Sequence, residues 1–273
     1  MKELSGKVAL ITGAAGGIGL GIARAALEKD MKLALCDIDV ETLEVTVESL
    51  RQEGADVLAL ALDVTQRDQW QDVAENVPRL LGPVQLLVNN AGVSTNGMRF
   101  DDIGPETWDK VVQINLTSVY NGVHYFLDAM RAAGSGHIVN TSSIAGLVGM
   151  AQLSPYSTTK AALIALSEAL RAELTDDNIG VSVVCPGPVQ SRLWRTSRPV
   201  RGLPDTDVPP QDYPAQSALP TSMDPYEVGR RVIEGVIRDD MYIFTHPEFR
   251  KVVDRRNTRM MQAFDQAEAF FMN

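Results

Sequence analysis

Cysteine and histidine are scarce in this chain, and positive charge is in short supply. Its two cysteines, Cys36 and Cys185, each close a short apolar run (LALC and VSVVC), which excludes a disulfide framework and reads as two buried strand thiols. The three histidines, His124, His137 and His246, are scattered without metal-ligand spacing, so no metal centre is expected. No apolar run approaches the roughly 18 residues of a membrane helix, and Met1 to Gly6 lacks the apolar core of a signal peptide. The expectation is a cytoplasmic protein with no membrane partner. With 25 Lys+Arg against 35 Asp+Glu the formal charge is −10, which argues against a nucleic-acid partner, since phosphate-backbone binding needs a concentrated positive face.

What is present reads as one globular domain over 1–273. Apolar residues make up 45% and charged residues 22%, a composition that excludes disorder. The acidity is uneven: residues 1–190 hold 13 Lys+Arg and 23 Asp+Glu, whereas 191–273 hold 12 of each. Proline is uneven too, with nine of 14 between Pro186 and Pro225. That stretch is the one long loop.

Short apolar runs alternate with segments of helical period. VALIT (Val8 to Thr12), LALC (Leu33 to Cys36), VLALAL (Val57 to Leu62), LLVNN (Leu86 to Asn90), HIVNTS (His137 to Ser142) and VSVVC (Val181 to Cys185) are strand candidates, and YIFT (Tyr242 to Thr245) is a seventh. Helices are expected near 17–29, 40–52, 65–80, 105–132, 155–174 and 224–238, and a final segment, 247–273, forms a C-terminal helical extension. Asp39, Thr65 and the pair Pro105–Glu106 mark helix starts. Wholly apolar strands separated by helices mean a parallel sheet covered on both faces. The fold class is therefore α/β, a doubly wound sheet of Rossmann type.

Directly after the first strand stands Thr12-Gly13-Ala14-Ala15-Gly16-Gly17-Ile18-Gly19, opening a helix. Glycines let the backbone turn tightly and approach a pyrophosphate, whose charge then faces the N–H groups of a helix N-terminus. Asp37, 24 residues after Gly13, closes the second strand where a carboxylate accepts hydrogen bonds from both adenosine ribose hydroxyls and repels a 2′-phosphate. No Lys or Arg occurs between Lys7 and Arg24, so nothing basic lies in the turn to accommodate that phosphate, and NAD is favoured over NADP. Asp63, ending the third strand, is either the partner of the adenine amino group or a cap for the next helix.

Ser142 and Ser143 end the fifth strand, Tyr156 follows 13 residues after Ser143, and Lys160 lies four further on. Residues i and i+4 share a helix face. A phenol of ordinary pKa near 10 is a poor base at neutral pH, but a neighbouring ammonium favours the phenolate. Taken together, Thr12–Gly19, Asn89-Asn90-Ala91-Gly92, Asn115, Ser143, the Tyr156/Lys160 pair and Pro186-Gly187 resemble, in order and spacing, the short-chain dehydrogenase/reductase family in its single-domain branch, densely over 5–191.

The resemblance implies a general acid/base in Tyr156, an orienting hydroxyl in Ser143, and in Lys160 a residue that lowers the tyrosine pKa and holds the nicotinamide ribose. Asn115 resembles the residue that completes a proton relay through a water. Gly13, Gly17, Ile18, Gly19, Asp63, Val64, Asn90, Pro186 and Gly187 take the positions that line the cofactor, and Val189 and Ser191 those that fix the carboxamide. Ser191 stands where members usually carry Thr.

In this family specificity lies after Pro186-Gly187, where residues 192–223 are expected to form a lid that orders on substrate binding, with Leu193, Trp194, Leu203, Tyr213 and Leu219 among its apolar residues. Leu147, Met150 and Leu153, between Ser143 and Tyr156, face the reacting carbon or pack in the core. These residues suit a bulky, largely uncharged secondary alcohol or ketone, aryl or alicyclic, and the tail around Tyr242–Glu248 resembles that of bacterial members acting on such carbonyls. Arg250, Lys251, Arg255, Arg256 and Arg259 read as a solvated face or a subunit contact. A homodimer or homotetramer is expected through the helices carrying Trp108–Met130 and Tyr156–Leu174. The competing readings are a non-catalytic NAD-binding regulator, which the presence of Ser143, Tyr156 and Lys160 disfavours, and an acyl or sugar ketoreductase of the same family, which Asp37 disfavours.

Overall fold

The apolar runs become seven strands of one sheet in the computed structural model, which describes residues 1–95, 97–203 and 222–272. In chain order they are β1 (Val8–Thr12), β2 (Lys32–Asp37), β3 (Val57–Ala61), β4 (Val84–Asn89), β5 (Gly136–Thr141), β6 (Ile179–Cys185) and β7 (Tyr242–Phe244). They pair in the order β3-β2-β1-β4-β5-β6-β7, every pair parallel. The chain reverses its direction of winding between β1 and β4. At such a point the loops leaving two neighbouring strands part and open a crevice at their carboxyl ends.

Among the described residues ten α-helices accompany the sheet: α1 (Gly17–Leu27), α2 (Val40–Gln52), α3 (Arg67–Leu80), α4 (Pro105–Val112), α5 (Ser118–Ala132), α6 (Ile144–Leu147), α7 (Ser154–Glu173), α8 (Leu193–Thr196), α9 (Pro225–Arg238) and α10 (Arg250–Met272). Alternate residues of a strand point to opposite faces, and the core divides accordingly. Ala9, Ile11, Leu33 and Leu35 meet Ile22 and Ala26 of α1, Leu43 and Val47 of α2 and Val232 of α9. Val8, Leu10, Ala34 and Cys36 meet Trp70 and Val77 of α3 and Phe126 and Met130 of α5. Cys36 and Cys185 are both buried free thiols.

Of the marked helix starts, one differs from expectation. Asp39 caps α2, its carboxylate accepting from Thr42 N at 3.2 Å, as its position suggested. Thr65 caps nothing: α3 begins at Arg67, and Thr65 instead donates its own N–H and hydroxyl to Asp63, at 3.0 and 2.8 Å. The long helix expected over 105–132 is interrupted at Gln113–Thr117 by a π turn, which has one more residue per hydrogen-bonded loop than an α turn. Buried Asn115 sits in it.

The final helix runs 23 residues, about 34 Å at 1.5 Å per residue. None of its residues is buried, and Met260, Phe264 and Phe271 leave an apolar stripe in solvent. Among the described residues no helix is long and apolar enough to cross a membrane, and no cluster of His, Cys, Asp and Glu could hold a metal ion.

Candidate active site

The crevice between β1 and β4 is floored by the glycine-rich turn. Thr12 stitches it together, its hydroxyl accepting from Asn90 N (3.0 Å) and Ala91 N (3.1 Å). Gly13 has φ +66° and faces Ala91, whose Cα would lie 2.9 Å from an added Cβ; a Cβ on Gly19 would lie 2.2 Å from Gly13 O. Only glycine fits this cradle. Gly17 lies under Ser191, and Ile18 is half-buried beside it. The N-cap of α1, Gly16, offers no side-chain cap, and the first turn has no acidic residue, so the helix N–H groups remain available to an anion.

Asp37, half-buried at the end of β2, accepts from Ala15 N at 2.9 Å and from Asp39 N at 3.0 Å, one bond to each oxygen. Asp63 closes the turn before α3, its Oδ1 accepting from Thr65 N and Oγ1, and does not cap that helix, whose N-cap is Gln66. Val64 is buried, and its carbonyl accepts from the Trp70 indole at 2.9 Å. Asn90 donates its amide to the carbonyls of Thr12 (2.9 Å) and Gly13 (3.2 Å), which ties the β4 end to the glycine turn.

Nothing basic lies in the turn itself, yet a guanidinium borders it. Arg192 arrives from the far side of the cleft, with Nη2 at 3.5 Å from Asp39 Oδ2 and 3.9 Å from the position a Cβ would take on Gly16. Arg192 lies 176 positions after Gly16, so the turn's own sequence carries no sign of it.

At the end of β5 the two serines separate. Ser142 is buried and donates to Lys160 O at 2.6 Å, so its hydroxyl is committed to α7. Ser143 caps α6, accepting from Ala145 N at 3.1 Å, and its hydroxyl reaches only a distant carbonyl, Pro186 O at 3.4 Å. Tyr156 is half-buried, one turn from Lys160, whose Nζ lies 5.6 Å from the phenol ring centroid. Lys160 Nζ donates to Thr141 O at 2.7 Å, and burial pulls its pKa down to about 8, against a small opposing influence of Cys185. Asn115 grips Val93 from both sides, Oδ1 accepting from Val93 N (2.8 Å) and Nδ2 donating to Val93 O (2.9 Å) and Thr159 Oγ1 (3.2 Å). The Cβ that Gly92 lacks would lie 3.2 Å from Asn115 Oδ1 and 3.4 Å from Lys160 Nζ. Its absence leaves room between those two groups.

These residues lie at the carboxyl ends of β1, β4, β5 and β6 in one crevice, and a family model described as short chain dehydrogenase matches residues 7–201. The chain belongs to the short-chain dehydrogenase/reductase family. Among its curated relatives, the CLA biosynthesis dehydrogenase/reductase of Lactiplantibacillus plantarum is 32% identical over 276 residues, covering 96% of this chain and 95% of that one. The cyclohexanol dehydrogenase of Acinetobacter sp. is 31% identical, with 70% and 76% covered. A short-chain dehydrogenase/reductase from Burkholderia phymatum solved with NAD superposes with a TM-score of 0.87 at 32% identity (96% and 97% covered). A metagenomic short-chain oxidoreductase solved with NADP superposes with a TM-score of 0.72 at 28% identity (89% and 98% covered).

Leu147 packs against Ile164, Val183 and Cys185, so the core takes at least part of that side chain. Met150, Leu153, Leu193 and Trp194 are half-buried. The start of the expected lid is already folded: Ser94 N donates to Ser197 Oγ at 2.8 Å, and Val200 packs on Val93 and Val111. Tyr213 and Leu219 lie outside the described residues, whereas Leu203 is exposed. Finally, Arg256, Arg259, Met260 and Ala263 of α10 wall a groove whose other side is Val148 and Gly149, so part of the basic cluster borders the segment between Ser143 and Tyr156.

His246 adds a contact that no local motif marks. It is buried and holds the loop after β6, accepting from Gly187 N at Nδ1 (3.0 Å) and donating from Nε2 to Pro188 O (3.0 Å). These partners fix its tautomer, since a carbonyl can only accept. Pro186 is buried, and Val189 bridges to Met223 beyond the long loop. Residues 59 positions apart gave no local signal of this contact.

Proposed function

We propose that the protein is an NAD(H)-dependent oxidoreductase that interconverts a secondary alcohol and a ketone, bulky and largely apolar, of aryl or alicyclic type. The observation that carries this reading is the buried Lys160 of α7, beside the Tyr156 ring and tied through Thr141 O to the end of β5, next to Ser143. A glycine cradle that any Cβ would fill and an uncapped helix N-terminus fit a dinucleotide pyrophosphate. Asp37 supports NAD(H), because its carboxylate would repel a 2′-phosphate. Gly13, Gly17, Ile18, Gly19, Asp63, Val64, Asn90, Pro186, Gly187, Val189 and Ser191 would complete the hold on the cofactor.

A bound nicotinamide supplies the hydride acceptor in oxidation and the donor in reduction. The chain's own groups manage the oxygen and its proton. Ser143 donates to the substrate oxygen and fixes it beside Tyr156. Tyr156 takes the alcohol proton at its phenolate oxygen, and returns it in reduction. Lys160 in its charged form favours that phenolate, and the space beside Gly92 suits a water linking Lys160 toward Asn115. Met150, Leu153, Leu193 and Trp194 are the apolar candidates for the substrate wall. The exposed rings of Tyr120, Tyr242 and Phe244 and the bare stripe of α10 support a homodimer or homotetramer.

The test crosses NAD(H) and NADP(H) with aryl, alicyclic, steroid, sugar and short aliphatic alcohols and ketones, following nicotinamide absorbance. Turnover of bulky apolar substrates with NAD(H) is expected. A clear NADP(H) preference would overturn the role given to Asp37, and activity on small polar substrates alone would overturn the apolar pocket.

A further inference from the structure

The acidic excess of this chain falls wholly within residues 1–190, the part that must bind the dinucleotide, and residues 8–23 hold no Lys or Arg. Yet a guanidinium stands at the glycine turn. A Cβ on Gly16 would lie 3.9 Å from Arg192 Nη2 and 4.0 Å from Nε. Gly16 is the N-cap of α1, the positive end of an 11-residue helix, where a cation is repelled and an anion welcomed. What holds Arg192 there is Asp39, at 3.5 Å, both side chains being a little over 40% exposed. The Asp39 oxygens also accept from Thr42 N and Thr42 Oγ1 (2.7 Å). Those Thr42 bonds, first of all, keep the Asp39 carboxyl below the usual range, with Arg192 and Arg195 adding to the effect. A cation and a helix N-terminus facing one another leave a place for an anion between them.

The position of Arg192 along the chain gives this a direction. Its neighbour Ser191 covers Gly17, with 3.1 Å between the serine Cβ and the position of a glycine Cβ. Beyond it, Ser197 and Val200 are anchored to Ser94, Val93 and Val111. Residues 191–200 therefore form a strap across the cleft, fixed at its far end and touching the glycine turn at Ser191 and Arg192.

We propose that Arg192 pairs with the pyrophosphate of the bound dinucleotide and that Asp39 is the latch that holds it over the cleft. This rests on the reading that the cleft binds a nicotinamide dinucleotide. The planar guanidinium can present one edge to a phosphate oxygen while another keeps Asp39, which a lysine cannot do with its single point of charge. The strap thus supplies the positive charge that the glycine turn lacks.

The test is the dissociation constant of the full-length protein for NADH, NADPH, ADP-ribose and adenosine, by calorimetry, for wild type, Arg192→Gln and Asp39→Asn. Arg192→Gln should weaken NADH and ADP-ribose by about tenfold or more, the scale of one lost charge-assisted bond, and leave adenosine unchanged. Asp39→Asn should weaken the same two ligands less. NADH should protect the Arg195–Arg201 stretch from trypsin in wild type and fail to do so in Arg192→Gln. NADH affinity within twofold of wild type in Arg192→Gln, or a loss confined to NADPH, would overturn the assignment, the latter by pointing to the 2′-phosphate. If wild type itself binds no dinucleotide, the cofactor reading falls as well; wild-type binding that the variant retains removes only Arg192.

Discussion

Replacing Lys160 by methionine should stabilise the fold while abolishing turnover. The residue is 4% exposed, and burial holds its pKa at about 8 against an ordinary 10.5. At neutral pH the folded chain keeps an ammonium where the unfolded chain would hold it more easily, a penalty of roughly 3 kcal/mol at 1.36 kcal/mol per pH unit. The bond from Nζ to Thr141 O returns part of this, and a charged hydrogen bond is worth about 1.5–3 kcal/mol. Methionine fills a similar volume without charge, so a net gain of about 1–2 kcal/mol at pH 7 is expected. The sign of the pH dependence follows from a folded pKa below the unfolded one. Wild-type stability is greatest above the unfolded value of 10.5, falls as pH drops toward 8, and is level below. The advantage of Lys160→Met over wild type should therefore be widest at pH 7 and shrink between pH 8 and 10. Urea denaturation of both proteins at pH 7, 8.5 and 10 measures it. A difference that does not vary with pH, or a variant that still turns over substrate, would refute the reasoning.

Two further outcomes follow from groups away from the reacting atoms. Buried His137 donates from Nε2 to Ser182 Oγ (2.8 Å), because the serine gives its own proton to Asp240 O (2.6 Å); Nδ1 is left without a hydrogen-bond partner, 3.9 Å from Asp239. Burial first, then the N-terminal ammonium and Arg171, hold its pKa at about 3 despite Asp239, so stability should be lost as pH falls below 6.5. Between pH 7.5 and 5 this group alone removes about 2 kcal/mol, and thermal or urea melts of His137→Gln should show a correspondingly shallower acid slope. His246→Ala leaves Gly187 N without its acceptor, which should cost about 1–3 kcal/mol of stability. The variant should also weaken NADH binding with a smaller change in kcat at saturating cofactor, and His246→Asn should restore part of both.

The inner strands were legible because burial on both faces favours short, largely apolar runs, whereas the edge strands β3 and β7 are partly exposed. The glycine turn was legible because a Cβ at Gly19 has no space to occupy. Tyr156 and Lys160 were legible because helix geometry brings i and i+4 together. Contacts that depend on the path of a loop were not. Arg192 meets Gly16, and His246 meets Gly187, only through the three-dimensional course of the chain. The π turn at Gln113–Thr117 was hidden for a related reason: Asn115 widens the helix by gripping Val93, 22 residues earlier, and the local pattern remains that of an ordinary helix. Ser142 and Ser143 are adjacent and equivalent in type, and what separates them is the Ser142 bond to Lys160 O, which no local pattern announces.

The central claim is that Tyr156 moves the substrate proton while the rest of the crevice holds the cofactor. The direct measurement is Tyr156→Phe, read for NADH affinity and for turnover of the best alcohol from the substrate panel. Nearly complete loss of turnover with NADH affinity within a few-fold of wild type is the predicted result. Turnover near the wild-type rate would contradict it.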